Sequence, residues 1–467
     1  MIQNEHLFVE KMQQEKLPPV AINTFLSYYN QLLVGGTGYI PESDIEPVHP
    51  GDVDDYRDLE QWKAPGREAL DQTVIIKLNG GLGTTMGLSQ AKSLIPVKKE
   101  LSFLDITALQ IRTLNQRFGI KIPLTLMNSF KTEQDSLEKL EKYSDIKTDI
   151  PYSFTQHKFP KILVSDLIPA SWPADPQLEW NPPGHGDLYT AFLTSGILDL
   201  LIKKGYRYAF VSNADNLGAT LDTGILGYFA VNKLSFLMEV TDRTYMDRKG
   251  GHIARLKSGK LILREAAQCP QEDTGKFRDI KRHRYFNTNN LWVDLISLKK
   301  VLEKKNNVLD LPMIRNLKKL DPRDPQSPDV IQLESAMGSA ISVFEFAAAL
   351  RVPRSRFAPV KNCEELLLLW SDYYELTEDC KMQVNPNRSA SHVTIDLDPN
   401  FYSIVDQLFE RFPHGAPSLL ECESLKISGD VRFGADVKIS GNVSITNSRP
   451  HPAFVPNGTH ITSEVLF

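Results

Sequence analysis

Cysteine is scarce in this chain. The 467 residues include only Cys269, Cys363, Cys380 and Cys422, which lie far apart and form no CxxC pair. That excludes a disulfide-dense scaffold and fits a reducing compartment. Long apolar runs are missing too. No stretch approaches the ~18 residues of a membrane span, and MIQNEHLFVEKMQQEK at the N-terminus has no apolar core of a signal peptide. The expected location is the cytoplasm. An excess of one charge sign is also absent, since 53 Lys and Arg against 58 Asp and Glu leave a net charge of −5. Such a chain offers no global field to nucleic acid or an anionic membrane, so a phosphate-bearing partner has to be met by a local cationic site. Hydrophobic content of 41% and charged content of 24% are those of a globular protein and exclude disorder. The length exceeds the roughly 250–300 residues at which one core stops growing, so two or three substructures are expected.

Two common nucleotide fingerprints are lacking as well. The segment VIIKLNGGLGTTMGLSQAKS, Val74 to Ser93, runs a strand-like apolar stretch into a glycine-rich loop that ends at Lys92. A Walker A loop needs GxxxxGK[ST], but Gly87 is followed by Leu88. A dinucleotide GxGxxG would need glycine at Met86, and the glycine is Gly87. What remains is a loop whose glycines at 80, 81, 83 and 87 can take positive φ and bring backbone N–H groups to an anion, with Lys92 as a mobile point charge.

Residues 1 to about 34 carry apolar stripes of helical spacing interrupted at Pro18 and Pro19, and GGTGYIPESDIEPV after them reads as a connecting loop. From Val74 onward, apolar strands VIIKL, PLTLM, YAFVS and FLMEV alternate with helical patterns, among them AFLTSGILDLLIKKG, read as one amphipathic helix from Ala191 closed by Gly205. This alternation predicts an α/β fold with a mixed, mostly parallel sheet. Ligands in such sheets sit at the carboxyl ends of strands, so the LNGG and NADN loops are expected to face one crevice. From Leu425 a register of six picks out Val431, Val437 and Val443, misses at Arg449, and resumes at Val455, Ile461 and Phe467. That is the spacing of a parallel β-helix, with two hairpins as the plainer alternative.

The segment LNGGLGTTMG…AKS, together with PPGHGD from Pro182, SNADNLGAT from Ser212, MEVT from Met238, FNTNNLW from Phe286, VIQLESAMGSAI from Val330 and RVPRSRFAPVK from Arg351, resembles the eukaryotic-type UTP–glucose-1-phosphate uridylyltransferases in motif and order. The likeness covers nearly the whole chain. It implies a GT-A-like nucleotidyltransferase core with a C-terminal left-handed parallel β-helix. Residues 1–72 would form a helical appendage and loop, 73–385 the catalytic domain and 386–467 the β-helix. Broader UDP-sugar or UDP-N-acetylhexosamine pyrophosphorylases resemble the chain less well at LNGGLGTTMG and RVPRSRFAPVK. A non-catalytic nucleotide-sugar-binding scaffold would be favoured by loss of Asp215 or Lys361, and both are present.

The resemblance also implies roles. Leu78, Asn79, Gly80 and Gly81 meet the base and ribose of UTP, Lys92 reaches its phosphates, and Gln156 and Gly184 read uracil. Here Ser89, Gln90 and Ala91 replace the family's residues before that lysine, but the spacing is kept. Asp215 holds Mg²⁺ and Asn213 contacts ligand; an Asx turn closing the strand is the structural alternative. Lys361 bridges the phosphates of both substrates, while Arg354 and Arg356 stay unassigned between phosphate and carboxylate partners. His185 contacts substrate phosphate, or else fixes its own glycine loop; no second histidine stands at zinc-ligand spacing. Glu265, Asn287 and Asn289 address the sugar, the two asparagines from one face if FNTNN is extended. A homo-oligomer through the C-terminal domain is a further expectation, weakened because the sequence stops about one coil before that of many relatives.

Overall fold

A computed structural model describes residues 4–88, 90–388 and 393–467; Ser89 lies outside them. Eight of the eleven strands of the main sheet form its continuous path: β1 (Asp54–Asp55), β2 (Thr73–Asn79), β3 (Leu124–Asn128), β4 (Ser153–Thr155), β5 (Tyr208–Asn213), β6 (Phe236–Asp242), β7 (Tyr285–Asp294) and β8 (Ala347–Arg351). Their spatial order is β1-β8-β6-β7-β5-β2-β3-β4. All neighbours on this path run parallel except β7, which is antiparallel to both β5 and β6. The four apolar runs read from the sequence are thus β2, β3, β5 and β6. Alternation along β2 sends Val74 and Ile76 into one apolar layer and Ile75 into the other, so both sheet faces are covered.

Helices Glu5–Gln14 and Pro19–Leu33 flank the expected proline break. Their aromatic faces bury Phe8, Phe25, Tyr28 and Tyr29 against Phe159. The stretch beginning at Ala191 departs from expectation. It is two helices, Leu188–Thr194 and Ile197–Lys203, because Gly196 adopts φ 76° and no L-residue ladder continues through it. Gly205, at φ 89°, does end the second one. The connecting segment after residue 34 is also not wholly loop, since Ile45–Pro47 pairs antiparallel with His252–Leu256.

Strands Thr394–Leu397, Ser418–Ser428 and Lys438–Thr446 pair in parallel, as do Val431–Phe433 and Ala453–Val455. This excludes hairpins for that region. Leu425, Val431, Val437, Val443, Val455 and Ile461 are all buried, and Arg449 lies in an exposed turn. Eighteen residues separate Leu425 from its partner Val443, but twenty-two separate Val431 from Ala453, because the turn around Arg449 inserts extra chain. Val455 therefore sits opposite Phe433, another inward position two residues along the strand. Among the described residues no helix is long and apolar enough to cross a membrane, and all four cysteines are free.

Candidate active site

Strands β2 and β5 are adjacent and parallel, with Leu78 opposite Asn213. The loops that leave their carboxyl ends therefore open side by side, as expected for such a sheet. They line a cavity of about 460 Å³ together with Gln156, Pro182, Gly184 and His185. Of the residues singled out from sequence, this cavity collects Leu78, Asn79, Gly80, Gly81, Lys92, Gln156, Gly184, His185, Asn213 and Asp215.

The glycines of the first loop act differently from one another. Gly83 and Gly87 take positive φ, of 62° and 75°, whereas Gly80 and Gly81 do not. Gly80 is needed for another reason. A Cβ there would lie 2.8–2.9 Å from the carboxamide of Gln156. Nothing within 4 Å faces a Cβ at Gly81, which borders open space. Behind the loop, the Asn79 side chain is buried and donates to Asn128 Oδ1 at 2.7 Å and Ser136 Oγ at 2.7 Å, so it ties strand ends together.

Beside Gln156, whose amide donates to the Asn128 carbonyl at 2.8 Å, His157 forms a pair with Asp187 that the sequence did not announce. Asp187 accepts from the His157 backbone N–H at 2.6 Å and lies 3.0 Å from its Nδ1, while Nε2 is 3.1 Å from Thr194 Oγ1. Asp187 closes the PPGHGD motif and His157 follows Gln156, but only the fold brings them together. Gly184, at φ 77°, lies where a Cβ would come within 2.4 Å of the Ser335 carbonyl. His185 Nδ1 accepts the Met337 backbone N–H at 2.9 Å. The ring is therefore neutral with its proton on Nε2, in keeping with burial lowering its pKa to about 4. It both fixes its loop and lines the cavity.

Lys92 Nζ lies 2.6 Å from Asp215 Oδ2 and also donates to the Val360 carbonyl. One ammonium thus joins both cavity loops to the segment that ends in Lys361. Asn216 reinforces the join by accepting from Ala358 N–H at 3.0 Å and donating to the Arg356 carbonyl at 3.1 Å. Lys361 and Glu265 lie outside the cavity lining. Lys361 is exposed, its amide bonded to the Glu365 carboxylate. Burial raises the Glu265 pKa to about 7, with the Lys361 charge acting the other way. Arg354 and Arg356 are settled as carboxylate partners: Arg354 pairs with Asp247 at 2.6 Å and Arg356 pairs with the buried Glu239 at 2.7 Å.

The asparagines of FNTNN meet by a route other than the expected one. Strand β7 is not regularly extended there, because a register shift falls opposite Glu239/Val240 and Asn289 takes φ 58°. Asn287 Nδ2 still donates to Asn289 Oδ1 at 2.8 Å, so the two form one amide cluster. No group of three or more His, Cys, Asp or Glu able to hold a metal exists among the described residues. The single carboxylate of Asp215 suits Mg²⁺, which takes one or two protein carboxylates and completes its shell with phosphate and water.

Comparison with known proteins agrees with this geometry. Residues 22–440 match the profile of a family described as UTP–glucose-1-phosphate uridylyltransferase. A potato protein of that name is 40% identical over 94% of this chain and 91% of its own length. A probable fission-yeast enzyme of that name is 38% identical over 90% of this chain and 82% of its own. Among solved structures, Leishmania major UDP-glucose pyrophosphorylase superposes with a TM-score of 0.91 at 41% identity, covering 100% and 99% of the two chains. A variant of that enzyme in complex with UDP-glucose gives 0.91 at 40% over the same shares. A UDP-glucose phosphorylase from Trypanosoma brucei gives 0.89 at 44% identity, covering 99% of each chain. The chain belongs to the UTP–glucose-1-phosphate uridylyltransferase family.

Proposed function

We propose that this protein transfers UMP from UTP to glucose 1-phosphate, giving UDP-glucose and pyrophosphate, reversibly and with Mg²⁺. The observation that carries this reading is the cavity at the ends of β2 and β5, where the glycine loop, Gln156, His185, Lys92 and Asp215 converge. A phosphate oxygen of glucose 1-phosphate forms a bond to the α-phosphorus of UTP, and the bond to the β-phosphate oxygen breaks, its electron pair leaving with pyrophosphate. The nucleophile is already anionic, so the protein's task is to position it and neutralise charge rather than to remove a proton.

Backbone at Leu78, Asn79, Gly80 and Gly81 receives the base and ribose, and the carboxamide of Gln156 with the backbone of Gly184 reads the uracil edge. Lys92 and Lys361 neutralise phosphate charge, and the Nε2–H of His185 donates to a sugar-phosphate oxygen. Glu265, Asn287 and Asn289 hold the sugar, and Asn213 contacts both UTP and the sugar phosphate. Asp215 holds Mg²⁺, which, when bound, offsets charge on the phosphates. The same reading makes the C-terminal parallel strands a left-handed β-helix, divides the chain at 1–72, 73–385 and 386–467, and has the protein work in the cytoplasm. Self-association through the C-terminal strands, where Phe454 and Leu466 are exposed, is read by sedimentation.

The test is pyrophosphate release with Mg²⁺, UTP and glucose 1-phosphate, with ATP, TTP, galactose 1-phosphate and N-acetylglucosamine 1-phosphate in parallel. Release confined to UTP with glucose 1-phosphate is expected, and its loss in Asp215→Ala. Equal rates with the other sugars would replace this reading by a broader pyrophosphorylase, and binding of UTP without release would replace it by a scaffold.

A further inference from the structure

A second cavity, of about 310 Å³, lies on the opposite face of the same strands. Leu78 and Asn213 line the nucleotide cavity, whereas Ile75, Lys77 and Phe210 line this one. Its other walls come from helix Lys63–Glu68, helix Phe103–Phe118, the loop Ala219–Thr223 and the hairpin tip at Asp379 and Lys381.

Its floor holds an unusual group. Lys77 interrupts the apolar run VIIKL and is 3% exposed. Its Nζ donates to Ser212 Oγ at 2.8 Å and to the Ala219 carbonyl at 2.9 Å, both neutral acceptors. An ammonium has three donors, and no carboxylate lies at ion-pair distance among the described residues. Burial lowers its pKa to about 7, with the Arg356 charge adding to the effect and the Asp215 and Glu239 carboxylates, neither within ion-pair distance, acting the other way. A buried cation without a counter-ion is costly, and an anion brought to it would relieve that cost. Around the floor stand Lys63, Arg67, Arg117 and Lys381, together with Asp222, whose carboxylate accepts from the Tyr56 hydroxyl and the Gly224 and Ile225 amides. Lys63 and Lys381 pair with Glu60 and Asp379, but Arg67 and Arg117 are exposed and have no ion-pair partner among the described residues. Ile111, Leu114 and Leu221 supply an apolar wall.

We propose that this cavity binds a small organic phosphate other than the substrates, its charge met by Lys77, Arg67 and Arg117 and its apolar body by Ile111, Leu114 and Leu221. The site is built as a pocket with a cationic floor and an apolar wall, which suits such a ligand better than a bare ion. It does not overlap the nucleotide cavity, and it shares strands β2 and β5 with it.

Phenyl phosphate is the probe, titrated calorimetrically into the full chain with and without saturating UDP-glucose. Saturable binding is expected in both conditions, at least tenfold weaker in Arg67→Ala/Arg117→Ala, a variant whose thermal unfolding should match the wild type. Lys77→Met should weaken it likewise; should that variant fail to fold, the arginine pair still decides. Displacement of phenyl phosphate by UDP-glucose, absence of saturable binding, or binding indifferent to the arginine substitutions would overturn the proposal. Failure of UDP-glucose itself to bind would count against the catalytic reading instead.

Discussion

At the scale of single residues, Glu265 gives the sharpest prediction because its surroundings set its charge. Burial holds its pKa near 7, so it is increasingly ionised above that pH and increasingly protonated below it. A carboxylate accepts sugar hydroxyls at both oxygens, a carboxylic acid at fewer. The KM for glucose 1-phosphate should therefore rise as pH falls from 8 to 6, and Glu265→Gln should flatten that part of the profile. A variant profile parallel to the wild type would assign the dependence to the substrate phosphate. Lys361→Ala should lower kcat about 10²–10³-fold, the usual effect of removing one group that stabilises transition-state charge. Its exposure predicts an unchanged melting temperature, and a wild-type rate would remove it from the mechanism. That Lys92 and Asp215 line one cavity was legible in the sequence, since each sits in a contiguous motif that follows a strand. The pairing of His157 with Asp187 was not, since two residues far apart in sequence have no local pattern to announce their contact.

At the scale of elements, hydrophobic period located β2, β3, β5 and β6, because a buried strand must be apolar wherever it lies. The break at Gly196 was less legible: a glycine within a helix costs only about 1 kcal/mol and need not end it, and the φ of 76° that ends it here leaves no mark in the local pattern. The glycine loop shows the same limit. Its glycines suggested positive φ, yet Gly80 serves by lacking a side chain opposite Gln156. Gly80→Ala should displace the Gln156 carboxamide and raise the KM for UTP, on the order of tenfold for the loss of a good hydrogen-bonding set. Gln156→Ala should do much the same, and the double variant should add little to either, since both remove one arrangement. Fully additive losses, read from steady-state kinetics of the four proteins, would mean that Gly80 acts on nucleotide directly.

At the scale of the molecule, the C-terminal strands and the nucleotide loop share one apolar core. Met86, Ile95 and Val97 from the segment around Lys92 pack in the same cluster as Leu425, Val443 and Ile461. A Cβ at Gly87 would come within 2.3 Å of Ile404 Cγ2, which shows how closely that region backs the loop. The six-residue register made the parallel strands readable, but not what they rest against, because burial of a face does not name its partner. The consequence is that damage to the C-terminal core should be felt at the nucleotide. Leu425 and Leu320 are both fully buried, the first in this shared cluster and the second in a small one with Ala170 and Val330. Replacing either by alanine should cost about 2–5 kcal/mol in unfolding free energy, as large-to-small core changes do. Only Leu425→Ala should also raise the KM for UTP several-fold, because the loop that ends at Lys92 loses part of its support. Urea unfolding and UTP kinetics on both variants decide the matter. An equal rise in KM for Leu320→Ala would trace the effect to general loosening, and an unchanged KM for Leu425→Ala would make the C-terminal strands a passive buttress.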